Sequence, residues 1–459
     1  MRNVKTIIIE ILRRMSVVIA IVLLFQFHLI SNSGQDIELK VDEYINAWLQ
    51  MEKFGGSILI AKDGNILLKK GYGMANCELE VPNTPQSKFL LGSVTKQFTA
   101  MAIMQLQEKG LLNVSDFIKK YISEYPHGEK ITIHHLLTHT SGTPNFTDFP
   151  EYRKTMMLPS PVEKTIERFK DKPLEFNPGE KYKYSNSGYI LLGYIIEKAS
   201  GKSYEEFLGE NIFTPLNMMN SGYGHTKPVL RNRAAGYSRG KDGLVNASYI
   251  DMSIPHGAGA LYSTVEDLYL WDRALYTEKL LNKSSLDKIF TPFKEKYGYG
   301  WGITNLFNRK RISHGGGING FTTNISRYVD DDACIIVLSN FDHSPTSKIS
   351  RDLAAILFGE KYELPKEQVE IKVDPKIYDA YVGQYELSPD FTIVVTKEND
   401  RLFVRATGQP KVEIYPESET KFFLKVVDAK ITFVKDDKNR VMQLILHQGG
   451  QDQLAKKVK

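Results

Sequence analysis

Cysteine is scarce in this sequence. The 459 residues include only two, Cys77 and Cys334, and both lie in segments with the pattern of a strand. The two could pair in an oxidising compartment, but a disulfide needs a geometry that sequence does not supply. We therefore expect two buried thiols and keep a disulfide between them as the alternative. No cysteine occurs near the end of the N-terminal apolar segment, which excludes lipid attachment there.

An excess of one charge sign is also lacking. The formal net charge is +5, and the first 34 residues hold four positive side chains and one negative, so about +2 remains without them. A nearly neutral protein has no electrostatic basis for binding nucleic acid, and we expect no such partner. The apolar content of 42% and the charged content of 25% are those of a globular protein. The chain is longer than one hydrophobic core normally serves, so we expect at least two domains.

Long apolar runs are missing except at the N-terminus, where four basic residues precede MSVVIAIVLLFQFHLI. This run has the length of a signal-peptide core and is short for a membrane span. Ser31 and Ser33 would occupy positions −3 and −1 of a cleavage before Gly34. We predict that residues 1–34 are a signal peptide and that the protein is exported, to the periplasm or outside the cell. The alternative is an uncleaved signal anchor that attaches the protein to the membrane, because the charged leader is long and contains a glutamate.

The middle of the chain predicts a mixed α/β (α+β) domain over residues 35–361. VDEYINAWLQMEK predicts an amphipathic helix, and SILIAKDGNILLKKGYG predicts a hairpin that turns at Asp63 and Gly64. A largely helical stretch with loops rich in Pro, Gly and Asn follows to about residue 210. Strands return between residues 297 and 341, and SKISRDLAAILFG predicts a closing helix. This order fits an antiparallel sheet that joins both ends of the domain around a helical insertion.

The C-terminal part has a different pattern. Residues 362–375, YELPKEQVEIKVDP, contain two prolines and no apolar periodicity, so we interpret them as a linker. Six short strand-like segments then recur at a spacing of roughly ten residues with polar turns between them. This spacing is typical of a small antiparallel barrel or sandwich. We predict a separate β-barrel domain over residues 376–459.

The segment LGSVTKQFTAMAIMQLQEKG places Ser93 three residues before Lys96 at the start of a predicted helix. The two side chains then share one helix face, so the amine can reach the hydroxyl. Serine needs a neighbouring base to act as a nucleophile, and burial can lower the pKa of a lysine enough to supply one. The same spacing recurs at three other places in the chain, so only its context gives it weight.

Two further segments carry side chains suited to catalysis. In YKYSNSGYILLGYIIE, the Tyr184 phenol could act as a base if nearby cations lower its pKa, and the Asn186 amide could orient the lysine. A helix cap beside a buried tyrosine is the alternative. In SHGGGINGF, glycines allow close backbone approach, so Gly317 could offer its amide to an oxyanion while His314 projects into the same cleft. A simple glycine turn between strands is the alternative.

The segment HHLLTHTSG contains His135 and His139 at a helical spacing that could suggest zinc. Leu136 stands where the metalloprotease motif has glutamate, and no acidic third ligand is evident. We therefore expect structural histidines, no metal and no cofactor.

Taken together and in order, these segments resemble one known group of enzymes. Ser93-x-x-Lys96, HLLTHTSG, YSNSGYILLGYIIE, GAGALYSTVEDL and His314-Gly315-Gly316 resemble the serine β-lactamase and penicillin-binding-protein superfamily. Within it, the chain is similar to class C β-lactamases and their esterase and D-aminopeptidase relatives. The resemblance covers about residues 37–360 and implies that fold. The segment from Tyr378 onward looks like the lipocalin-like barrel appended to many such hydrolases.

The resemblance also implies a mechanism. Ser93 would form an acyl-enzyme, with Lys96 and Tyr184 sharing its proton. Asn186 would bind the lysine and the substrate amide, and the amides of Ser93 and Gly317 would form an oxyanion hole. The implied catalytic residues are Ser93, Lys96, Tyr184, Asn186, His314 and Gly317, and the implied substrate-binding residues are Gly315 and Gly316.

One position departs from the pattern of the superfamily. β-Lactamases and DD-peptidases carry a lysine where His314 stands, and that lysine binds the substrate carboxylate. Histidine is mostly neutral at pH 7 and is a weaker carboxylate anchor. We therefore expect a small-molecule or peptide substrate that is an ester, or an amide or peptide containing a D-amino acid. A true β-lactamase or DD-peptidase is one alternative, and a non-catalytic penicillin-recognising receptor is another.

Overall fold

The computed structural model of the protein describes residues 35–367, 369–388, 391–425, 429–448 and 451–458. The predicted leader, residues 1–34, lies outside the described residues. Within the described ranges, no helix combines the length and the apolar character needed to cross a membrane.

A six-stranded antiparallel sheet forms the centre of the larger part of the chain. Its strands are β1 (Gly56–Lys62), β2 (Asn65–Tyr72), β10 (Gly302–Leu306), β11 (Arg309–Ile318), β12 (Phe321–Tyr328) and β13 (Ala333–Ser339). Their order is β10-β11-β12-β13-β1-β2, so the two ends of this part meet where β1 pairs with β13. Both of these strands are buried along almost their whole length because helices cover both faces of the sheet, which explains their continuous apolar runs. The predicted fold class is confirmed.

Helices pack on each face of this sheet. On one face, helix α1, residues 35–50, and α11 (Thr346–Phe358) share a core with Ile58 and Val337. On the other face, Leu59 and Ile336 belong to the main core. Two long helices contribute to that core, α2 (Thr95–Glu108) and α9 (Val265–Ala274).

Apart from α2, α9 and one further long helix, the insertion between the two ends of the sheet contains short elements. Residues 110–210 are less helical than predicted, because Pro, Gly and Asn interrupt the apolar periodicity and the chain turns at these points. The remaining helices are α3 (Ile133–Leu137), α4 (Tyr152–Thr155), α5 (Val162–Glu167), α6 (Asn186–Ser200), α7 (Tyr204–Leu208), α8 (His256–Gly259) and α10 (Lys283–Ile289). The remaining strands here are β3 (Met74–Asn76), β4 (Val81–Pro82), β5 (Phe89–Leu90), β6 (Gly222–Tyr223), β7 (Tyr237–Arg239), β8 (Leu244–Asn246) and β9 (Leu261–Ser263).

The C-terminal strands form a closed barrel. They are β14 (Gly383–Ser388), β15 (Phe391–Glu398), β16 (Arg401–Ala406), β17 (Val412–Pro416), β18 (Lys421–Leu424), β19 (Ala429–Lys435), β20 (Val441–Gln448) and β21 (Gln451–Lys457). The sequence predicts only β15 to β20. The two missed strands pair with each other and close the barrel. The last of them has little apolar pattern, since Ala455 is buried while its neighbour Leu454 is exposed.

The interior of the barrel is filled with side chains. Tyr381 stacks on Phe433 with ring centroids 4.3 Å apart, and Tyr385 and Phe422 are fully buried beside them. An eight-stranded barrel is just wide enough for such a filling. The barrel core is separate from the two cores that cover the sheet.

Both cysteines have free thiols. Cys334 is buried in β13, whereas Cys77 is only half-buried and follows directly after β3. The expectation of two buried thiols is therefore correct for Cys334 alone.

A buried ion pair ties the sheet to α9. Nε of Arg327, on β12, donates to Oδ1 of Asp272 at 2.5 Å, and both side chains are almost inaccessible to solvent. Oδ2 of Asp272 also accepts from Nη2 of the neighbouring Arg273 at 2.8 Å. Removing Asp272 would therefore leave the Arg327 guanidinium buried without an ion-pair partner.

Candidate active site

Ser93 lies in a 3₁₀ turn, Gly92–Val94, that leads into α2. Gly92 has φ +54°, and a Cβ on it would lie 2.8 Å from the amide nitrogen of Gly317. Only glycine therefore fits where this turn passes β11. The Ser93 side chain is half-buried, whereas Lys96, three residues further on, is completely buried.

The predicted spacing does bring the serine and the lysine together. Nζ of Lys96 lies 3.0 Å from Oγ of Ser93, 2.8 Å from Oδ1 of Asn186 and 2.8 Å from the main-chain oxygen of Ala258. Burial lowers the pKa of Lys96 well below 10.5, and no carboxylate among the described residues opposes that shift. A lysine in this environment can act as a base near neutral pH.

The ring of Tyr184 lies over the same amine, with Nζ of Lys96 4.9 Å from the ring centroid. Burial raises the pKa of Tyr184, and the neighbouring Ser93 hydroxyl only partly offsets the rise. The phenol oxygen is buried and has no partner in hydrogen-bonding geometry in the part of the chain that the structure describes. The expectation that nearby cations lower the pKa of Tyr184 is not met. The nearest amine is that of Lys96, whose own pKa is lowered by burial, so it does not supply a stable positive charge. Tyr184 is therefore a protonated phenol in the resting site.

A loop that the sequence did not single out fixes the side chain of Asn186. The main-chain N–H of Asn186 donates to Oδ1 of Asn145 at 2.9 Å, and Nδ2 donates to Oγ1 of Thr147 at 3.2 Å. Because the amide nitrogen is used in this way, Oδ1 is the atom that faces Lys96. The orientation of the Asn186 amide is thus set by the hydrogen bond of Nδ2 to Thr147 and by that of Oδ1 with Lys96.

The glycines of β11 approach the Ser93 turn closely. A Cβ on Gly316 would lie 1.9 Å from the main-chain oxygen of Leu91, whereas a Cβ on Gly317 would meet nothing within 4 Å. A Cβ on Gly315 would lie 3.6 Å from Oγ of Ser347, at the start of α11. Gly316 is therefore required for packing, and Gly317 faces open space with its amide nitrogen beside the turn.

Both ring nitrogens of His314 have partners. Nδ1 lies 2.6 Å from the carbonyl oxygen of Gly315, so Nδ1 carries a proton, and Nε2 accepts from the Tyr297 hydroxyl at 2.9 Å. Burial lowers the pKa of His314. His314 is therefore neutral at pH 7.

The two histidines of HHLLTHTSG with the zinc-like spacing, His135 and His139, have different surroundings. His135 belongs to the capping box of α3, where its Nδ1 accepts from the N–H of Thr132. His139 is buried against Tyr184, with ring centroids 4.2 Å apart. Across the described ranges, no three His, Cys, Asp or Glu side chains are grouped in a way that could hold a metal ion.

The chain is similar to known proteins over most of its length. A family model described as "Beta-lactamase" matches residues 46–360, more than half of the chain. The chain belongs to the β-lactamase family. This membership makes the protein a serine hydrolase of the β-lactamase type, as the sequence predicts. A second family model, described as "Domain of unknown function (DUF3471)", matches residues 367–457.

Individual proteins that belong to this family or share its fold are similar to the chain over long stretches. Penicillin-binding protein 4* of Bacillus subtilis (strain 168) is 32% identical over 437 residues, which are 89% of this chain and 96% of that protein. The octameric penicillin-binding protein homologue from Pyrococcus abyssi has a TM-score of 0.65 and 30% identity, covering 91% of this chain and 99% of its own. The D-amino acid amidase from Ochrobactrum anthropi SV3 has a TM-score of 0.63 at 22% identity, covering 71% of this chain and 99% of its own, and so shares the fold.

The β-lactamase fold thus brings the predicted side chains to one place. Ser93 and Lys96 come from the start of α2, Tyr184 and Asn186 from the start of α6, and His314 from β11. Sequence reasoning missed four residues that complete the site. These are Asn145, Thr147, Ala258 and Tyr297. Asn145 and Thr147 lie in one of the loops that the sequence marks only by their Pro, Gly and Asn content. Ala258 acts through its main-chain oxygen, so no side chain identifies it. The only sequence signal for Ala258 is its place in the motif GAGALYSTVEDL.

Proposed function

We propose that the protein forms an acyl-enzyme on Ser93 and that Lys96 accepts the Ser93 proton. The contacts of Nζ carry this proposal. A neutral amine has two N–H donors and one lone pair. Oδ1 of Asn186 and the main-chain oxygen of Ala258 accept the two N–H groups, so the lone pair remains for the Ser93 hydroxyl 3.0 Å away.

The proposed reaction then proceeds in two halves. Oγ of Ser93 attacks the substrate carbonyl carbon while its proton moves to Lys96, and the amides of Ser93 and Gly317 stabilise the oxyanion. In other enzymes one such donor contributes about 3 to 4 kcal/mol. Tyr184, which starts protonated, donates its proton to the leaving group as the carbonyl carbon–leaving group bond breaks, and the proton on Lys96 returns to the phenolate. Water releases the acyl group by the reverse sequence.

The substrate that we propose is an ester, or an amide or peptide that contains a D-amino acid. A neutral His314, with both nitrogens already hydrogen-bonded, offers a substrate carboxylate no positive charge. Lysine stands at this position in the β-lactamases and DD-peptidases that bind such a carboxylate. The histidine therefore favours substrates whose binding does not depend on a carboxylate.

A parallel assay tests this proposal. The purified full-length protein and its Ser93→Ala variant would be compared on p-nitrophenyl acetate, p-nitrophenyl butyrate, D-Ala p-nitroanilide and nitrocefin. We expect hydrolysis of the esters or the anilide that depends on Ser93, with little nitrocefin turnover. Full activity in Ser93→Ala would refute the assignment of the nucleophile.

Penicillin recognition is the second candidate function. It is supported by the similarity to Penicillin-binding protein 4* over nearly the whole length of that protein. Intact-mass spectra after exposure to penicillin separate the cases. A stable penicilloyl adduct on Ser93 without turnover would indicate a receptor or a DD-peptidase, whereas fast nitrocefin hydrolysis would indicate a β-lactamase in which His314 replaces the lysine.

We also propose that residues 1–34 direct export of the protein. The support is the apolar run that follows four basic residues and is itself followed by Ser31 and Ser33. N-terminal sequencing of the protein from its own cells tests this: a chain beginning at Gly34 indicates cleavage and release. An intact leader in the membrane fraction indicates an anchor, and an intact leader in the cytosol would contradict export.

A further inference from the structure

The proposed reaction assigns no role to the segment HLLTHTSG, yet His139 in this segment is buried next to the reacting groups. Its exposed fraction is 1%, and its ring centroid lies 4.2 Å from that of Tyr184. The backbone of His139 has φ +56°. This left-handed conformation is uncommon for a residue other than glycine and persists only where surrounding contacts impose it.

His139 binds the main chain on both sides of Tyr184. The carbonyl oxygen of His139 accepts from the N–H of Lys183 at 2.9 Å, and Nδ1 accepts from the N–H of Ser185 at 3.2 Å. Since Nδ1 accepts, the proton of the neutral ring is on Nε2. Burial lowers the pKa of His139 well below 6.5, so Nδ1 stays an acceptor at neutral pH.

The position of the Tyr184 side chain depends on these main-chain contacts more than that of Asn186 does. Asn186 has its own anchors, Asn145 and Thr147. In the described part of the chain, the Tyr184 hydroxyl has no hydrogen-bond partner that could fix its position. The position of the phenol therefore depends on its main chain and on the packing of its ring.

We propose that His139 is a positioning residue for Tyr184, which places the phenol beside Ser93 by binding both flanking amides and packing against the ring. This inference rests on the proposed role of Tyr184 in proton transfer. It assigns a task in the reaction to a histidine that the sequence alone classed as structural.

Two substitutions of His139 separate the hydrogen bond from the loss of the ring. His139→Asn keeps an acceptor at nearly the position of Nδ1, and asparagine tolerates a positive φ. His139→Gly also tolerates this φ but removes both the acceptor and the ring. Since a misplacement of 1 Å can cost about 100-fold in rate, we expect His139→Gly to lower kcat on the order of 100-fold. We expect KM to change little and His139→Asn to recover much of the loss.

A matched control comes from the same segment. His135→Gln keeps a side-chain acceptor at its capping-box position, where glutamine is a preferred residue, so kcat should stay at the wild-type value. If His135→Gln lowered kcat as much as His139→Gly does, any disturbance of the segment would be enough to impair catalysis. That result would overturn the specific role of His139.

A double-mutant cycle distinguishes positioning from general destabilisation. In a Tyr184→Phe background the phenol is gone, so His139→Gly should lower kcat little further. A full additional 100-fold loss in that background would overturn the inference while leaving Ser93 as the nucleophile. Wild-type kcat in Tyr184→Phe alone would instead refute the proposed role of Tyr184, which is a separate failure.

Crystal structures of the full-length variants add a readout that needs no substrate. In His139→Gly we expect the Tyr184 ring to move away from Ser93 while Asn186 keeps its contacts with Asn145. An unmoved Tyr184 ring would contradict the inference whatever the activity of the protein.

Discussion

Replacing Lys96 by methionine should abolish hydrolysis and yet stabilise the protein. Methionine is also unbranched and is one atom shorter than lysine, and it has no amine to desolvate. Burial lowers the pKa of Lys96 well below its ordinary value of 10.5. The proposed role of Lys96 as a base requires a neutral amine at pH 7, so folding at that pH removes a proton that the unfolded chain holds. The burial that makes the lysine a base therefore also lowers the stability of the folded protein, and removing the amine should restore that stability.

The size of this effect follows from a neutral Lys96 in the folded protein, which the proposed reaction requires. Removing a proton at pH 7 from a group with a pKa of 10.5 costs about 4.8 kcal/mol, at about 1.36 kcal/mol for each pH unit. The three hydrogen bonds of Nζ offset about 3 kcal/mol of this, at about 1 kcal/mol each. We expect Lys96→Met to raise the free energy of unfolding by about 2 kcal/mol at pH 7.

The sign of the pH dependence follows from proton linkage. Between the lowered pKa of Lys96 and 10.5, the unfolded chain binds one more proton than the folded chain, so the wild-type stability rises with pH relative to the variant. From pH 7 to pH 9 the difference should change by about 2.7 kcal/mol in favour of the wild type.

Urea unfolding of both proteins at pH 7 and pH 9 measures this difference. Lys119→Met serves as a control because the Lys119 side chain is exposed, and its stability difference should not depend on pH. A difference between wild type and Lys96→Met that is the same at both pH values would show that Lys96 is charged in the folded protein. The lysine would then not be the base.

Three further predictions concern other parts of the molecule. Asp272→Ala leaves the Arg327 guanidinium buried without its ion-pair partner, so thermal or urea unfolding should show a loss of about 3 to 5 kcal/mol; an unchanged midpoint would contradict this. Gly316→Ala places a methyl group against a main-chain oxygen and should cost about 1 to 3 kcal/mol by the same measurement, whereas Gly317→Ala has free space and should be nearly neutral. Ending the chain after residue 365 removes the barrel, whose core is separate, so kcat/KM for p-nitrophenyl acetate and butyrate should keep their ratio; a changed ratio would mean that the barrel limits substrate size.

Local patterns in the sequence predicted many elements correctly. The hairpin turn at Asp63 and Gly64 forms as expected, with both residues at positive φ. The closing helix predicted from SKISRDLAAILFG forms as α11. Each of these features is decided within a few residues, because turn conformation and helical periodicity depend on neighbours along the chain. The proximity of Ser93 and Lys96 belongs to the same class, since it follows from helical spacing.

Features that depend on distant parts of the chain could not be predicted in this way. The first and last strands of the barrel need each other to complete their hydrogen bonds, and the last has almost no apolar pattern of its own. The hydrogen bonds of Asn186 join segments about 40 residues apart. Nothing in the local sequence around Asn186 specifies such contacts.

By itself, the sequence determined the spacing of serine and lysine, the order of the family motifs and the change of pattern at the barrel, because these are properties of neighbouring residues. Only the tertiary structure decided the chemistry of the groups. Whether Lys96 is a base, Tyr184 a protonated phenol and His139 a support for it depends on burial, and burial is the result of packing between elements that are far apart in the chain.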